Sequence, residues 1–172
     1  MAKPVCLLDF DGVMNRITGS GYDPRHPRLD PQLVKSVALL VRGCGLDVVV
    51  SSSWREAYTL DQLRDILRRS CLLQFGENFG AWVADAMVGV TPIYERIPKR
   101  LYLRNREVQD WLTKHRPDAA YVIIDDSSEH GFPTDRFVNV HGKLGFSLID
   151  LVSAREILAA QGVACRDVEI KT

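Results

Sequence analysis

The chain has 172 residues, which is enough for one domain with a buried core. Its apolar share of 46% and its charged share of 26% are those of an ordinary globular protein. The formal net charge is zero, which excludes an overall electrostatic field that would attract nucleic acid or an anionic membrane but leaves room for a local basic patch.

No targeting or membrane segment is visible. The first four residues lead straight into a short apolar run without a signal-peptide core, and no apolar run is long enough to span a bilayer. The four cysteines lack the paired spacing of a zinc site, so a reducing cytoplasm is the default expectation. Without a repeat, linker or low-complexity tract, we predict a single domain over 1–172 and no membrane association.

The first predicted strand ends in two carboxylates. Residues 5–8 are apolar, and Asp9, Asp11 and Gly12 follow directly. Such a run, bounded by a turn signal, is typical of a buried parallel strand, and ligand sites lie just beyond the carboxyl ends of such strands. Two carboxylates this close repel each other unless a cation or a shared proton intervenes, so the pair indicates a Mg²⁺ site. The alternative is an ordinary turn rich in Asp and Gly.

A loop and the first helix come next. Residues 15–30 are rich in Gly, Pro and Arg, which predicts a loop or small flap over the end of the first strand. Asp30 and Pro31 mark the start of a helix, and apolar residues at helical spacing continue it to Gly43. The second strand covers 46–50 and ends in Ser51, after which a helix is predicted from about 54 to 70.

The second half of the chain repeats this alternation. A helical turn at 78–84, a strand at 86–90 and a basic connection with Lys99 and Arg100 are followed by a helix from about Arg104 to 115. The clearest strand after the first covers 121–124 and ends in Asp125 and Asp126. A strand at 137–140 and a last helix after Ser147, to about residue 160, follow. This alternation predicts an α/β fold with a parallel sheet covered on both faces.

Polar residues at three strand ends are expected to share one edge of the sheet. They are Asp9 with Asp11, then Ser51, then Asp125 with Asp126. Each has a simpler explanation as well: Ser51 can cap the following helix, the acidic pairs can begin turns, and basic residues nearby can be surface charges. Their common position favours a shared site over chance.

With these motifs the sequence resembles the haloacid dehalogenase-like hydrolase superfamily, the Mg²⁺-dependent phosphatases that form an aspartyl-phosphate. DFDGV at 9–13, the serine after the second strand, a later Lys or Arg, and VIIDD at 122–126 match its motifs in order. VVSSSWR at 49–55, Thr91-Pro92 and the pattern of the helix from Arg104 are similar to a small branch associated with RNA-repair architectures. The resemblance implies a Rossmann-like three-layer sandwich around a parallel sheet of about five strands.

The resemblance also implies roles for individual residues. Asp9 is the expected nucleophile and Asp11 the general acid and base. Mg²⁺ is expected on Asp9 and Asp126, with the backbone carbonyl of Asp11 and a supporting Asp125 as further ligands. Ser51 would hydrogen-bond a phosphoryl oxygen.

The basic residue of the motif stays open on sequence alone. Lys99 is the type that the superfamily prefers, Arg104 sits better against the following helix, and Arg100 is a third candidate. Near these motifs, Arg55 is able to reach a phosphate, His130 is a candidate for contact with the substrate, and Trp54 is expected in the core.

The short gaps after the first and third strands imply that there is no substantial cap domain. An open site suits a large phosphorylated substrate such as a nucleic-acid end, although a small molecule is also compatible, and no obligate protein partner is expected. The acid at Asp11 points to a phosphate ester rather than a halide. The alternative function is a phosphoryl-accepting signalling or binding domain without turnover. Signalling receivers phosphorylate an Asp after the third strand, where this chain has Thr91-Pro92.

Overall fold

Five short parallel strands form the centre of the molecule. The computed structural model describes residues 2–17, 28–71, 78–94 and 103–169. In these ranges the sheet has the order β3-β2-β1-β4-β5, with every neighbouring pair parallel. The strands are β1 (Val5–Leu8), β2 (Asp47–Val50), β3 (Met87–Val90), β4 (Tyr121–Asp125) and β5 (Phe137–Asn139).

The described ranges also contain five α-helices, four between strands and the last after β5. They are α1 (Pro31–Gly43), α2 (Leu60–Ser70), α3 (Phe79–Ala86), α4 (Leu103–His115) and α5 (Leu148–Ala159). The caps follow the local sequence, since Asp30 accepts a hydrogen bond from the Gln32 amide and Ser147 forms a capping box with Asp150. Two single turns of 3₁₀ helix, Ser53–Glu56 and Ser128–His130, follow the ends of β2 and β4.

The sheet is buried on both faces, as its apolar strands predict. On one face, Cys6 and Leu8 of β1 pack in a large core that includes residues of α1, α2, α3 and α5. On the other face, Val5 and Leu7 pack against α4. This arrangement confirms the expected Rossmann-like α/β sandwich with about five parallel strands and without a large cap.

One helix differs from the sequence expectation. The helix predicted over 54–70 is divided into the 3₁₀ turn Ser53–Glu56 and α2, which begins only at Leu60. Thr59 and Gln62 form a capping box that starts α2 afresh. The Arg55 guanidinium donates to the backbone oxygens of Ser51 and Ser52, which holds the first turn against the end of β2.

The structure also contains a covalent link that the sequence spacing did not indicate. Cys44, directly after α1, is joined by a disulfide to Cys165, which lies 121 residues further along. Cys6 and Cys71 are buried free thiols. None of the helices in the described ranges is long and apolar enough to cross a membrane. The reducing, cytoplasmic setting and the domain bounds 1–172 stay predictions.

Candidate active site

The sheet order brings the predicted polar strand ends together. β1 lies between β2 and β4, so the residues that follow these three strands are neighbours. The hydrogen-bonded ladder continues one step beyond the strands, because the Asp9 amide donates to the Ile124 oxygen at 2.9 Å and the Ser51 amide to the Leu8 oxygen at 3.0 Å. The backbone positions of Asp9 and Ser51 are therefore set by the sheet itself.

Three carboxylates converge at this edge. Asp9, Asp125 and Asp126 each offer an oxygen, and these oxygens all lie within 4.8 Å of one another. Asp9 and Asp125 are buried, with 6% and 0% of their surface exposed, and Asp126 is half-buried. Oxygen ligands of this kind and number suit a hard divalent cation such as Mg²⁺.

The protonation of this cluster reflects its burial. Burial, and then the neighbouring Asp9, raise the pKa of Asp125 to about 8. The same two causes raise the pKa of Asp126 above its ordinary value. Burial also raises the pKa of Asp9, and Arg104 and a hydrogen bond from Ser52 act against this shift. Without a cation, the cluster therefore resists carrying its full negative charge.

Arg104 supplies a positive charge beside these acids. Its Nη1 lies 3.4 Å from Asp9 Oδ1 and 3.6 Å from Asp125 Oδ2. The side chain comes from the first turn of α4, whose N-terminal end lies at this edge of the sheet. Of the three basic candidates, Arg104 is the one found at the site, whereas Lys99 and Arg100 lie outside the described residues.

A buried ion pair anchors the same end of α4. The Arg55 guanidinium lies 2.5 Å from Glu107 Oε2, and both side chains are almost fully buried. Glu107 also accepts the Tyr94 amide at 3.1 Å. Arg55 also donates hydrogen bonds to backbone oxygens at the ends of β2 and β3. Its guanidinium is therefore used within the protein and is not free to bind a phosphate, which the sequence had suggested.

The Asp11 carboxylate is held by hydrogen bonds from two side chains. Trp54 Nε1 donates to Oδ2 at 2.9 Å, and Asn15 Nδ2 donates to Oδ1 at 2.8 Å. Asn15 is itself fixed, because its Oδ1 accepts the Gly12 amide at 2.9 Å. Sequence analysis missed both partners, since Trp54 is 43 residues from Asp11 and Asn15 lies in a predicted loop. Whether Asp11 serves as a metal ligand through its backbone stays a prediction.

Two glycines make room for Asp126. A Cβ on Gly12 would lie 2.2 Å from Asp126 Oδ2, and a Cβ on Gly142 would lie 2.4 Å from the same atom. Gly12 also has a φ of 69°, in the left-handed region that disfavours other residues. The sequence predicted the turn at Gly12, but the close approach of Gly142 depends on the loop after β5.

Several buried polar atoms at this edge lack a hydrogen-bond partner among the described residues. They include Ser51 Oγ, Thr91 Oγ1 and Asp125 Oδ2. Buried polar atoms are rarely left unpaired, so an unpaired group beside a charged cluster indicates a position for a ligand atom. Ser51 and Asp125 were both predicted at the site. The Ser51 hydroxyl, which has no hydrogen-bond partner in the described part of the chain, suits a phosphoryl oxygen. Asp125 Oδ2, which within the same ranges has only the Arg104 ion pair at 3.6 Å, suits a cation.

His130 lies in the 3₁₀ turn after β4 and packs edge-on against Phe132 at a ring distance of 5.5 Å. Burial, and then the charge of Arg104, lower the pKa of His130 to about 4. Its imidazole is therefore neutral at neutral pH. A contact between His130 and substrate stays a prediction.

Comparison with known proteins agrees with this geometry. The model of the family described as the HAD domain in Swiss Army Knife RNA repair proteins matches residues 5–151, from β1 into α5. No curated protein and no solved structure gives a significant match. The match confirms the resemblance drawn from the motifs, including the RNA-repair branch. The chain therefore belongs to the family of HAD domains found in Swiss Army Knife RNA repair proteins.

Proposed function

We propose that the chain is a Mg²⁺-dependent phosphomonoester hydrolase that works through an aspartyl-phosphate on Asp9. HAD domains are generally phosphohydrolases, and this family membership supports the reaction class. The observation that carries the proposal is the placement of buried Asp9 close to both the Arg104 guanidinium and two further carboxylates. This combination supplies a fixed nucleophile together with groups that balance phosphate charge.

In the first half-reaction, an Asp9 oxygen attacks phosphorus while the bond to the leaving oxygen breaks. Asp11 donates its proton to that oxygen, so the leaving group departs as an alcohol. Arg104 and the Ser51 hydroxyl stabilise the charge on the equatorial phosphoryl oxygens. In the second half-reaction, Asp11 accepts a proton from water as the water attacks phosphorus. Inorganic phosphate leaves and Asp9 is regenerated.

The acidic cluster is the proposed site of the metal. Asp9 and Asp126 would hold Mg²⁺, with Asp125 and the backbone carbonyl of Asp11 in support. When bound, Mg²⁺ offsets the charge of the carboxylates and of the phosphate, which lets Asp9 approach an anionic substrate. The raised pKa values of Asp125 and Asp126 support this assignment, because burial first and the charge of Asp9 second disfavour the ionised forms, which a bound cation would favour.

The proposed substrate is a large phosphorylated molecule, with the end of a nucleic-acid strand as the first choice. The family description refers to RNA repair, and the sequence between β1 and α1 and between β3 and α4 is too short for a cap domain. A capless site is accessible to a polymer end. No protein partner is proposed as a requirement for activity.

Hydrolysis of p-nitrophenyl phosphate tests the reaction class directly. Wild-type protein should release nitrophenol with Mg²⁺ and lose this activity in EDTA. Asp9→Asn should lower kcat at least about 10³-fold, because it removes the nucleophile. Asp61→Asn is a matched control, since Asp61 is an exposed aspartate on α2.

Retained turnover in Asp9→Asn would remove Asp9 as the nucleophile. A phosphorylated Asp9 that accumulates without release of phosphate would instead favour the phosphoryl-accepting domain. Mass spectrometry of protein trapped with a phosphoryl donor distinguishes these results.

A further inference from the structure

A cleft of about 440 Å³ opens beside the acidic cluster, on the β5 side of the sheet. The residues that line it include Ile17, Asp126, Asn139, His141 and Lys143. Asp126 belongs to both the cleft and the carboxylate cluster. A molecule that occupies the cleft is therefore in direct reach of the proposed phosphate site.

Backbone hydrogen bonds hold the segments that line the cleft in place. The Ile17 amide donates to the Gly142 oxygen at 3.0 Å, and the Phe146 amide donates to the Val13 oxygen at 2.9 Å. The Val140 amide donates to the Asp125 oxygen at 2.9 Å, which ties the same loop to β4. The cleft is therefore built into the fold, and Gly142 allows its loop to lie against Asp126.

The side chains of the cleft suit a sugar-phosphate. Asn139, His141 and Lys143 are exposed, and none has a side-chain hydrogen bond or ion pair within the described part of the chain. They offer an amide, an imidazole and an ammonium group, which are suited to hydroxyl and phosphate oxygens. Ile17, with 43% of its surface exposed, adds an apolar contact. The volume lies within the range of small-ligand sites and can take one nucleoside.

We propose that this cleft is the leaving-group subsite, which holds the nucleotide joined to the phosphate under attack. The inference rests on the proposed function and extends it to a specific surface. Ile17 contacts the base or sugar, and Asn139 and His141 hydrogen-bond the sugar. Lys143 pairs with the next phosphodiester along the strand. The subsite therefore favours a phosphorylated strand end over a phosphate ester that lacks the second phosphate.

Kinetics with matched substrates test the role of Lys143. The substrates are a single-stranded hexaribonucleotide with a terminal phosphate, in 5′ and 3′ versions, and p-nitrophenyl phosphate. Lys143→Gln should lower kcat/KM about tenfold on the preferred oligonucleotide. On p-nitrophenyl phosphate, the same variant should lower kcat/KM by no more than about twofold. The salt dependence of oligonucleotide affinity should also become shallower, by about 0.7 in log–log slope, because one phosphate contact is lost.

Lys114→Gln is the matched control. Lys114 is exposed in the last turn of α4, about 15 Å along the helix from Arg104, at the opposite edge of the sheet. This variant should leave both substrates unaffected. Equal losses on both substrates in Lys143→Gln, or no loss on either, would overturn the subsite. A serine phosphopeptide that is turned over as well as the oligonucleotide would also overturn it.

A binding measurement separates failure of the subsite from failure of the proposed function. Fluorescence anisotropy of the labelled oligonucleotide is compared between Asp9→Asn and the double variant Asp9→Asn/Lys143→Gln. The subsite predicts about tenfold weaker binding in the double variant. If no substrate is hydrolysed but binding depends on Lys143, the cleft binds the strand end, but the hydrolase proposal fails and the leaving-group role fails with it. If hydrolysis depends on Asp9 and binding is independent of Lys143, the hydrolase proposal stands and the subsite proposal fails.

Discussion

At the scale of the residue, the site depends on how each acid is held. Asp9 lies beside Arg104, whereas Asp11 is fixed by Trp54 and Asn15 through one hydrogen bond to each carboxylate oxygen. The two acids are one residue apart in sequence but have different surroundings. This difference suits the two proposed roles. A carboxylate nucleophile needs a nearby positive charge to approach an anionic phosphate, and a proton donor needs a side chain held in a fixed orientation.

Trp54→Phe tests the positioning of Asp11. The variant keeps an aromatic ring against Phe10 but removes the Nε1 donor. We expect kcat for an alkyl phosphate to fall about tenfold, with a smaller change for p-nitrophenyl phosphate, whose leaving group needs little protonation. A leaving-group series measures this difference. Trp111→Phe, a similar truncation in the α4 core, is the control; an equal loss across the series would contradict the assignment.

The acidic cluster has a consequence for stability in the metal-free protein. The pKa of Asp125 is about 8 in the fold and near its ordinary 3.8 in the unfolded chain. Between these values the folded state keeps a proton that the unfolded state has released, so this group's contribution to stability is complete below about pH 4 and is lost as the pH rises to about 8.

Urea unfolding in EDTA at several pH values measures this effect, with Asp125→Asn as the reference. We expect the stability of wild type to fall relative to the variant between about pH 4 and 8. Mg²⁺ should raise the Tm of wild type more at pH 8 than at pH 5, because binding requires the ionised carboxylates. A wild-type curve parallel to that of the variant would contradict the interpretation.

At the scale of the element, α4 carries both a buried ion-pair residue, Glu107, and a residue of the site, Arg104. Glu107 lies one turn after Arg104 and pairs with buried Arg55, which is bonded to the ends of β2 and β3. The position of the helix, and with it that of Arg104, is thus tied to the same sheet edge that carries the nucleophile.

Glu107→Gln should therefore be costly. Removal of one member of a buried ion pair leaves an uncompensated charge, and typical losses are about 3 kcal/mol. Urea denaturation measures the change, and Glu129→Gln, at an exposed glutamate near the site, should cost less than about 0.5 kcal/mol. A loss below 1 kcal/mol in Glu107→Gln would show that the pair is not an anchor.

At the scale of the whole molecule, the C-terminal segment is attached to the end of α1. Besides the disulfide between Cys44 and Cys165, the Arg166 amide donates to the Gly43 oxygen at 2.9 Å. Arg155 of α5 adds an ion pair with Asp167 at 2.9 Å. The disulfide closes a loop that contains β2 to β5 but not β1.

Cys165→Ser should lower stability by about 2–4 kcal/mol under non-reducing conditions, because a cross-link over so long a loop restricts the unfolded chain. The Tm should fall by roughly 5–10 °C, as measured by thermal unfolding. With a reducing agent present, wild type and variant should unfold alike. A variant as stable as wild type without reductant would indicate that the disulfide contributes little.

Much of the fold was predictable because it depends on local patterns. The apolar runs at β1 and β4, and the helix caps at Asp30 and Ser147, carry their structural signal within a few residues. The break between Trp54 and α2 was missed. The Thr59/Gln62 capping box that starts α2 is a local signal and was overlooked. The separate turn before it depends on where the Arg55 side chain finds acceptors, and these are backbone oxygens at the ends of two strands.

The sequence by itself determined the α/β class, the family, and the presence of acids at the ends of β1 and β4, because strand periodicity and motif spacing are properties of neighbouring residues. Only the tertiary structure decided which side chains meet. It brought Arg104 to Asp9, Trp54 to Asp11, Gly142 to Asp126 and Cys44 to Cys165. These pairs join residues that are 16 to 121 positions apart. Their contact depends on strand order and loop path, which no local pattern encodes.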